Sequence, residues 1–225
     1  MGVEWYDMIA RRNGGYKSRA VFIIEGRSAE NVYEERLIDM LPNYHEVLDA
    51  GCGHGEFTLK MSAYAKKIIG FDNSRELITI AQTLLNSSSV TNVEFVYATT
   101  KSEMPFYDGQ FDLIYDRRGP TSIINHSRLL AKGGTIFGIH NNVSTAKERL
   151  VKNGFVDIEI EEFDKAIIYF PDEMEFAKFL SDIPGNPDYL LPELRNDLID
   201  KIKDHNMDGK LGIREHKYIW KAVKP

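Results

Sequence analysis

Three glycines at alternate positions follow a short apolar run that ends in an acidic residue. The run is Val47-Leu48-Asp49, and the glycines are Gly51, Gly53 and Gly55. A segment with helical spacing comes next, which predicts a strand that enters a tight turn and opens a helix. Glycines suit such a turn because a Cβ atom would block positive φ angles and the close approach of a ligand. The helix presents unpaired N–H groups to an anionic or carboxylate-bearing ligand.

The spacing of these glycines distinguishes two kinds of nucleotide site. The dinucleotide fingerprint is G-x-G-x-x-G, whereas this chain has G-x-G-x-G preceded by Asp49. Residues 47–56 resemble the first motif of the class I S-adenosylmethionine-dependent methyltransferases, which reads closely like V-L-D-A-G-C-G-x-G. The resemblance implies S-adenosylmethionine as cofactor, bound by the turn residues Asp49, Ala50, Gly51, Cys52, Gly53, His54 and Gly55. A nicotinamide-dependent oxidoreductase is the competing enzyme class, but it needs the longer spacing and a Tyr-x-x-x-Lys that the expected helix lacks.

A second short apolar run also ends in an acid, at Asp72. Doubly wound folds place an acidic residue about 20 residues after the glycine motif, where it accepts hydrogen bonds from the ribose hydroxyls. We therefore assign Asp72, with the adjacent Asn73, to the cofactor site. The alternative is that Asp72 caps the helix that starts at Ser74, and the two roles are compatible.

Strands alternate with helices from residue 45 to residue 163, which predicts an α/β, doubly wound, Rossmann-like sheet with helices on both faces. The family resemblance continues through residues 105–113, 129–135 and 153–155, which are similar to the turns before its fourth, fifth and sixth strands. It implies a seven-stranded, mostly parallel sheet whose last strand is antiparallel. We expect one domain, made of a helical N-terminal cap (1–44), a donor-binding core (45–163), a lid insertion (164–210) and the last strand (211–225).

The chain departs from the family pattern after two strands. Many relatives have Gly-Asp-Ala after strand three, with the Asp on the adenine amine, whereas this chain has Ala98-Thr99-Thr100. Thr99 and Thr100 are therefore the expected adenine contacts. After strand four the chain has Asp116-Arg117-Arg118-Gly119-Pro120 and lacks the Asn-Pro-Pro-Tyr motif of enzymes that methylate exocyclic base amines.

A sulfonium methyl is already activated, so a general base is needed only for an acceptor that is protonated at the working pH. His140, at the end of strand five, is the candidate base, because histidine titrates near neutrality. A structural role is the alternative. Asp116 is a further candidate for the cofactor site, and the candidates for the substrate site and lid are Tyr6, Tyr16, Arg117, Phe170 and Phe176. Ordinary core packing is the alternative for the two phenylalanines.

The charge balance bears on the acceptor. The net charge is −6, and the basic clusters do not form a long stripe with aromatic residues, so we expect a small-molecule acceptor rather than nucleic acid. An RNA methyltransferase and a donor-binding protein without transfer activity are the alternatives. The single cysteine, the absence of about 18 consecutive apolar residues and the lack of a secretory signal favour a cytoplasmic protein without a membrane segment. No metal is expected, and the oligomeric state is open.

Overall fold

Strands and helices alternate through residues 2–225, the part of the chain that the computed structural model describes. The α-helices are α1 (Val3–Asn13), α2 (Ala29–Met40), α3 (Glu56–Met61), α4 (Arg75–Asn86), α5 (Ser144–Lys152), α6 (Glu173–Ser181) and α7 (Arg195–Asp204). The strands are β1 (Ile23–Glu25), β2 (Val47–Ala50), β3 (Ile68–Asp72), β4 (Val93–Tyr97), β5 (Phe111–Arg117), β6 (Leu130–His140), β7 (Val156–Phe163), β8 (Ile167–Phe170), β9 (Asn206–Met207), β10 (Lys210–Arg214) and β11 (Lys217–Val223). Short 3₁₀ segments are Leu41–Asn43, Ser62–Tyr64, Thr121–Leu129 and Pro192–Leu194.

A seven-stranded sheet has the strand order β4-β3-β2-β5-β6-β11-β7. Strand β2 is an interior strand, parallel to β3 on one side and to β5 on the other. Strand β11 is antiparallel to both of its neighbours, β6 and β7. The doubly wound fold with an antiparallel last strand is therefore confirmed. Because the parallel strands end at one edge, the turns after β2, β3 and β5 meet there.

Helices α2 and α4 are each capped by a serine residue. Ser28 accepts a hydrogen bond from the Glu30 N–H and so caps α2. Ser74 accepts one from Leu77 and caps α4. Hydroxyl side chains at this position satisfy N–H groups that would otherwise lack a partner. The helix start predicted at Ser74 is confirmed, and the cap of α4 is Ser74 rather than Asp72.

The sheet is covered on both faces by apolar clusters. One cluster combines α2 with inward-facing residues of the sheet, including Tyr33, Phe137 and Ile139. The other combines α5 with residues such as Ile136 and Trp220. These faces fix the strands, so the edge that carries the three turns is built on a rigid support.

A second sheet differs from the sequence expectation. Strands β1, β8, β10 and β9 form an antiparallel sheet in that order. With α6 and α7 it encloses its own buried cluster, made of Phe170, Phe176, Ala177, Leu180, Tyr189 and Leu198. The region 1–44 is thus not wholly helical, because β1 pairs with β8. A strand of three residues with a partner so distant in sequence leaves no detectable alternation.

Between β5 and β6 the alternation of strands and helices has a 3₁₀ segment in place of an α-helix, Thr121–Leu129, with non-helical dihedrals at His126. Strand β6 begins directly afterwards, at Leu130. Across residues 2–225, no helix combines the length and the apolar character that crossing a lipid bilayer requires.

Candidate functional site

The turn between β2 and α3 is held against β3. The N–H groups of Gly51 and Cys52 both donate to the Phe71 carbonyl oxygen, at 2.9 Å. The three alternate glycines have φ values of 82°, 58° and 80°. A Cβ on Gly51 would lie 2.7 Å from the Pro120 ring, whereas one on Gly53 would meet nothing closer than Tyr16 Cβ at 3.7 Å. Gly53 is therefore the position where the turn leaves backbone open to a ligand.

Asp72 ends β3 beside this turn. Its Oδ2 accepts a hydrogen bond from the Gly53 N–H at 3.0 Å, and its Oδ1 accepts one from the Ser74 N–H at 2.9 Å. Burial raises the pKa of Asp72, although these hydrogen bonds act in the opposite direction. Each carboxylate oxygen can accept a second bond, so Asp72 keeps acceptor capacity for a ligand.

Asp49 lies beneath the turn and is 2% exposed. Its Oδ2 accepts hydrogen bonds from Thr58 Oγ1 at 2.6 Å and from the Tyr115 hydroxyl at 2.8 Å. Burial raises the pKa of Asp49 to about 7, against the effect of these two hydroxyls. The carboxyl is thus poised to change charge near neutral pH.

A cleft opens where the turns meet. Its empty space, which includes open solvent at the mouth, is about 920 Å³. It is lined by Tyr6, Tyr16, Asp49, Gly51, Cys52, Gly53, His54, Phe57, Phe71, Asp72, Asn73, Leu77, Thr100, Arg117, Arg118, Gly119 and Pro120. Eleven residues proposed from the sequence are among them: Tyr6, Tyr16, Asp49, Gly51, Cys52, Gly53, His54, Asp72, Asn73, Thr100 and Arg117.

His140 is not among the residues that line this cleft, and its ring packs behind the cleft wall. Its Nδ1 accepts a hydrogen bond from Trp220 Nε1 at 3.1 Å. Its Nε2 lies 3.2 Å from the Gly119 carbonyl oxygen and 3.4 Å from Asp116 Oδ2. Burial lowers the pKa of His140, but the Asp116 carboxylate outweighs that effect and the net direction is upward. With both ring nitrogens engaged, His140 supports the loop behind the cleft.

Six other residues proposed from the sequence also lie outside the cleft. Ala50 and Asp116 are fully buried, and Asp116 Oδ1 accepts a hydrogen bond from the Gly119 N–H at 2.6 Å. Thr99 does not line the cleft, whereas the neighbouring Thr100 does. The remaining three have packing roles: Gly55 lies against helix α4 and strand β4, and Phe170 and Phe176 belong to the cluster beneath the second sheet.

The family model described as Methyltransferase domain matches residues 43–152, which contain the glycine turn, Asp72 and strands β2 to β6. These residues form a methyltransferase domain like those of the class I S-adenosylmethionine-dependent enzymes. The uncharacterized methyltransferase YcgJ of Bacillus subtilis (strain 168) is 39% identical over 70 residues, which are 31% of this chain. The match spans 27% of that relative, so it concerns the motif region and not the whole protein.

Solved structures extend the likeness to the whole chain at the level of the fold. A functionally unknown protein from Deinococcus radiodurans R1 is 24% identical, with a TM-score of 0.71 over 99% of this chain and 100% of its own. The cyclase SpnF is 18% identical, with a TM-score of 0.65 over 99% of this chain and 95% of its own. The cap and the second sheet therefore have structural counterparts as well.

A cluster of charged residues beside the methyltransferase cleft was not predicted from the sequence. Glu30, on α2, accepts from Arg117 Nε at 2.8 Å and pairs with Arg118 Nε at 3.3 Å and with Lys217. Burial alone would raise the pKa of Glu30, but Arg118, Lys217 and Arg117 together lower it to about 2. These residues come from α2, β5 and β11, so no local motif joins them.

The N-terminal segment covers the mouth of the cleft with aromatic rings. The centroid of the Tyr6 ring lies 5.2 Å from Trp5 and 5.6 Å from Tyr16. Helix α1 is tied to the donor side because Ser74 Oγ donates to Asp7 Oδ1 at 2.5 Å. In the part of the chain that the structure describes, no group of three His, Cys, Asp or Glu side chains is arranged to hold a metal ion.

Proposed function

We propose that the chain transfers a methyl group from S-adenosylmethionine to a small-molecule acceptor by direct in-line displacement. The observation that supports this most is the meeting of Gly53 and Asp72 at one edge of the sheet. Their backbone-to-carboxylate bond of 3.0 Å places an acidic acceptor beside a glycine that leaves room for a ligand. The residues present therefore fit this donor.

When bound, the donor supplies a methyl group already activated by its sulfonium. The chain then has to bind, orient and exclude water. In this proposal Asp72 accepts hydrogen bonds from the ribose hydroxyls, and Asp49 lies on the wall that faces the donor's positive charge. Tyr6 and Tyr16 close the mouth. His140 takes no part in proton transfer, because both of its nitrogens are engaged.

The acceptor class follows from the charge distribution. Arg117 and Arg118 are paired with Glu30 and do not extend into an open basic stripe. Together with a net charge of −6, this favours a small molecule over RNA, because phosphate neutralisation dominates nucleic-acid affinity. A donor-binding protein without methyl transfer is the second candidate, favoured by the likeness in fold to the cyclase SpnF.

Calorimetry followed by a transfer assay tests the proposal. S-adenosylmethionine and S-adenosylhomocysteine should both bind, whereas nicotinamide dinucleotides should not. A tritiated donor is then incubated with small-molecule, RNA and protein fractions of a cell extract. Label in the small-molecule fraction supports the proposal, label in RNA favours the RNA alternative, and binding without any transfer favours the second candidate.

The raised pKa of Asp49 predicts that donor affinity depends on pH. A cationic donor favours the ionised carboxylate, and this carboxyl is protonated in the free chain below about pH 7. Affinity for S-adenosylmethionine should therefore rise between pH 6 and pH 8, by up to about tenfold per pH unit below the pKa. Titration calorimetry measures this, and Asp49→Asn should flatten the profile. An equally steep profile in Asp49→Asn would assign the titration to another group.

The raised pKa of Asp49 also makes the free energy of unfolding depend on pH, in the direction opposite to that of donor affinity. The unfolded chain has an ordinary aspartate pKa near 4, so the folded chain holds the extra proton between about pH 4 and pH 7. The contribution of Asp49 to the free energy of unfolding is thus full below about pH 4. It is lost as the pH rises through about 7.

We propose that the N-terminal segment and residues 164–210 act together as a lid. Asp182, at the end of α6, accepts hydrogen bonds from Arg12 at 2.6 Å, Asn13 at 3.2 Å, Ser18 at 3.2 Å and the Arg19 N–H at 2.8 Å. These hydrogen bonds join the segment that carries Tyr6 and Tyr16 to the end of α6, which packs on the second sheet. Such covers gate ligand access in many transferases.

Hydrogen exchange tests the lid. S-adenosylhomocysteine should slow exchange in residues 2–20 and 164–210, with little change in β2 and β5. Asp182→Asn should speed exchange in residues 2–20 of the free chain, because it removes the charge that holds them. If 164–210 is already as protected as β5 without ligand, that segment is fixed and the lid proposal fails.

A further inference from the structure

Arg118 has a left-handed backbone conformation that its residue type disfavours. Its φ is 63°, and a residue other than glycine, asparagine or aspartate in this region is uncommon. The conformation is held from both sides. The Arg118 N–H donates to the Ile139 carbonyl oxygen at 3.1 Å, and the following Gly119 N–H donates to Asp116 Oδ1 at 2.6 Å. Backbone strain of this kind is concentrated at functional sites.

Tight packing behind the loop that contains Arg118 and Gly119 explains why the backbone strain persists. A Cβ on Gly119 would lie 2.0 Å from the Ala50 carbonyl oxygen, so the loop is pressed against β2. Asp116 and His140 support it from below through the contacts described above. The rigid loop therefore presents Arg118 at the cleft wall in a fixed orientation.

Arg118 shares its carboxylate partner, Glu30, with two other cations. Three cations, Arg117, Arg118 and Lys217, face two carboxylates, Glu30 and Glu215. Glu215 also accepts hydrogen bonds from the Ser28 hydroxyl at 2.9 Å and from the Ala29 N–H at 2.7 Å. Arg118 is the most exposed of the three cations, with 42% of its side chain accessible, so its charge is the most accessible at the cleft.

Most of the hydrogen-bonding capacity of Arg118 is unused. Its contact with Glu30 is made through Nε, at 3.3 Å. Within residues 2–225 its two terminal nitrogens have no hydrogen-bond partner. A guanidinium can bind a carboxylate or phosphate through two parallel hydrogen bonds. Arg118 also lines the cleft.

The cleft thus has walls of opposite charge. Asp49 and Asp72 lie on the wall of β2 and β3, and Arg118 lies at the end of β5 on the other side of β2. Tyr16 lies between them: burial raises the pKa of its hydroxyl, Arg118 lowers that pKa and Asp72 raises it. The acidic wall matches the positive charge of the proposed donor, which leaves Arg118 for an anion.

We propose that the methyl acceptor is a small molecule with a carboxylate or phosphate group, and that Arg118 binds this group. The proposal rests on the proposed function, since it names the acceptor class of that cleft. The donor's own carboxylate offers the same chemistry to Arg118, so the test separates these two sources.

Binding measurements on the complex with S-adenosylhomocysteine test the acceptor arm. The probes are benzoate and phenyl phosphate, with the neutral benzamide as their counterpart. The variant is Arg118→Asn, because asparagine tolerates the left-handed backbone. Arg118→Lys retains the charge, and Arg36→Asn is the matched control, because Arg36 pairs with Glu161 on the exposed surface. Titration calorimetry and the thermal midpoint of each variant are recorded.

At least one anionic probe should bind to wild type and to Arg36→Asn with equal affinity. Its affinity for Arg118→Asn should be about tenfold or more lower, and its affinity for Arg118→Lys should be intermediate. Benzamide should bind weakly to all four proteins. If neither anion binds wild type better than benzamide does, or if Arg118→Asn retains wild-type affinity for it, the proposal is overturned. An oligoribonucleotide that binds through Arg118 while the small anions do not would overturn it in favour of RNA.

The donor arm compares S-adenosylhomocysteine with 5′-methylthioadenosine, which lacks the amino-acid carboxylate. Arg118→Asn should bind both within about twofold of wild type. A tenfold loss for S-adenosylhomocysteine alone would assign Arg118 to the donor and overturn the acceptor proposal. Failure of wild type to bind S-adenosylhomocysteine at all would instead overturn the proposed function, and the two failures are therefore distinguishable.

Discussion

Replacing Asp72 with alanine should weaken the binding of S-adenosylhomocysteine by at least about tenfold while the chain stays folded. Hydrogen bonds to a charged acceptor contribute about 1.5–3 kcal/mol each. Loss of both proposed ribose bonds thus corresponds to a decrease on the order of a hundredfold or more. The same change removes the acceptor of the Gly53 N–H, so the turn after β2 also loses a contact. Calorimetry at neutral pH measures the affinity, and circular dichroism checks the fold.

Two further variants make the Asp72 result specific. Asp72→Asn keeps the shape and one acceptor oxygen, so it should lose less affinity than the alanine variant. Ser74→Ala removes the cap of α4 and the bond to Asp7 but leaves the backbone N–H that donates to Asp72. It should cost about 1 kcal/mol of stability and lower the affinity less than Asp72→Ala does. Unchanged affinity in a folded Asp72→Ala would leave this residue with a purely structural role in the turn.

The glycine turn and Asp72 could be placed at the cleft from the sequence because the patterns that identify them are local. The glycine turn and Asp72 each follow a short apolar strand, and parallel strands bring their ends to one edge. The packing role of Gly55 was not evident from the sequence. Its spacing is compatible with a ligand contact, and only the positions of Phe95 and Ala81 reveal what a side chain there would meet.

The charged cluster beside the cleft depends on pairs of residues that are distant in sequence. Glu30 meets Arg118 and Lys217 only after α2, β5 and β11 have packed together. Strand β1 likewise exists because β8 pairs with it. His140 illustrates the same limit, since its position at a strand end was predictable but the partners of its ring nitrogens were not. Periodicity describes single elements, whereas these features are set by tertiary contacts.

The second large effect concerns stability. Gly55→Ala should lower the free energy of unfolding by about 2–5 kcal/mol. Gly55 has a φ of 80°, where a Cβ atom costs roughly 1–2 kcal/mol. The added Cβ would also lie 2.6 Å from Phe95 Cζ and 2.8 Å from Ala81 Cβ, and overpacking of this kind costs about 1–3 kcal/mol. Both neighbours are buried, so neither can move without disturbing β4 or α4.

Matched glycines separate the clash from the backbone strain. Gly154 has a similar φ of 73° and nothing within 4 Å of an added Cβ, so Gly154→Ala should show the strain alone. Gly53→Ala has space as well, and it should resemble Gly154→Ala in stability while weakening S-adenosylhomocysteine binding, because its Cβ would project into the cleft. Urea denaturation gives the three free energies, and the ligand's effect on each midpoint gives binding. If Gly55→Ala costs no more than Gly154→Ala, the close packing of α3 and α4 against β4 does not govern stability here. If Gly53→Ala binds the ligand as wild type does, the turn does not hold the donor.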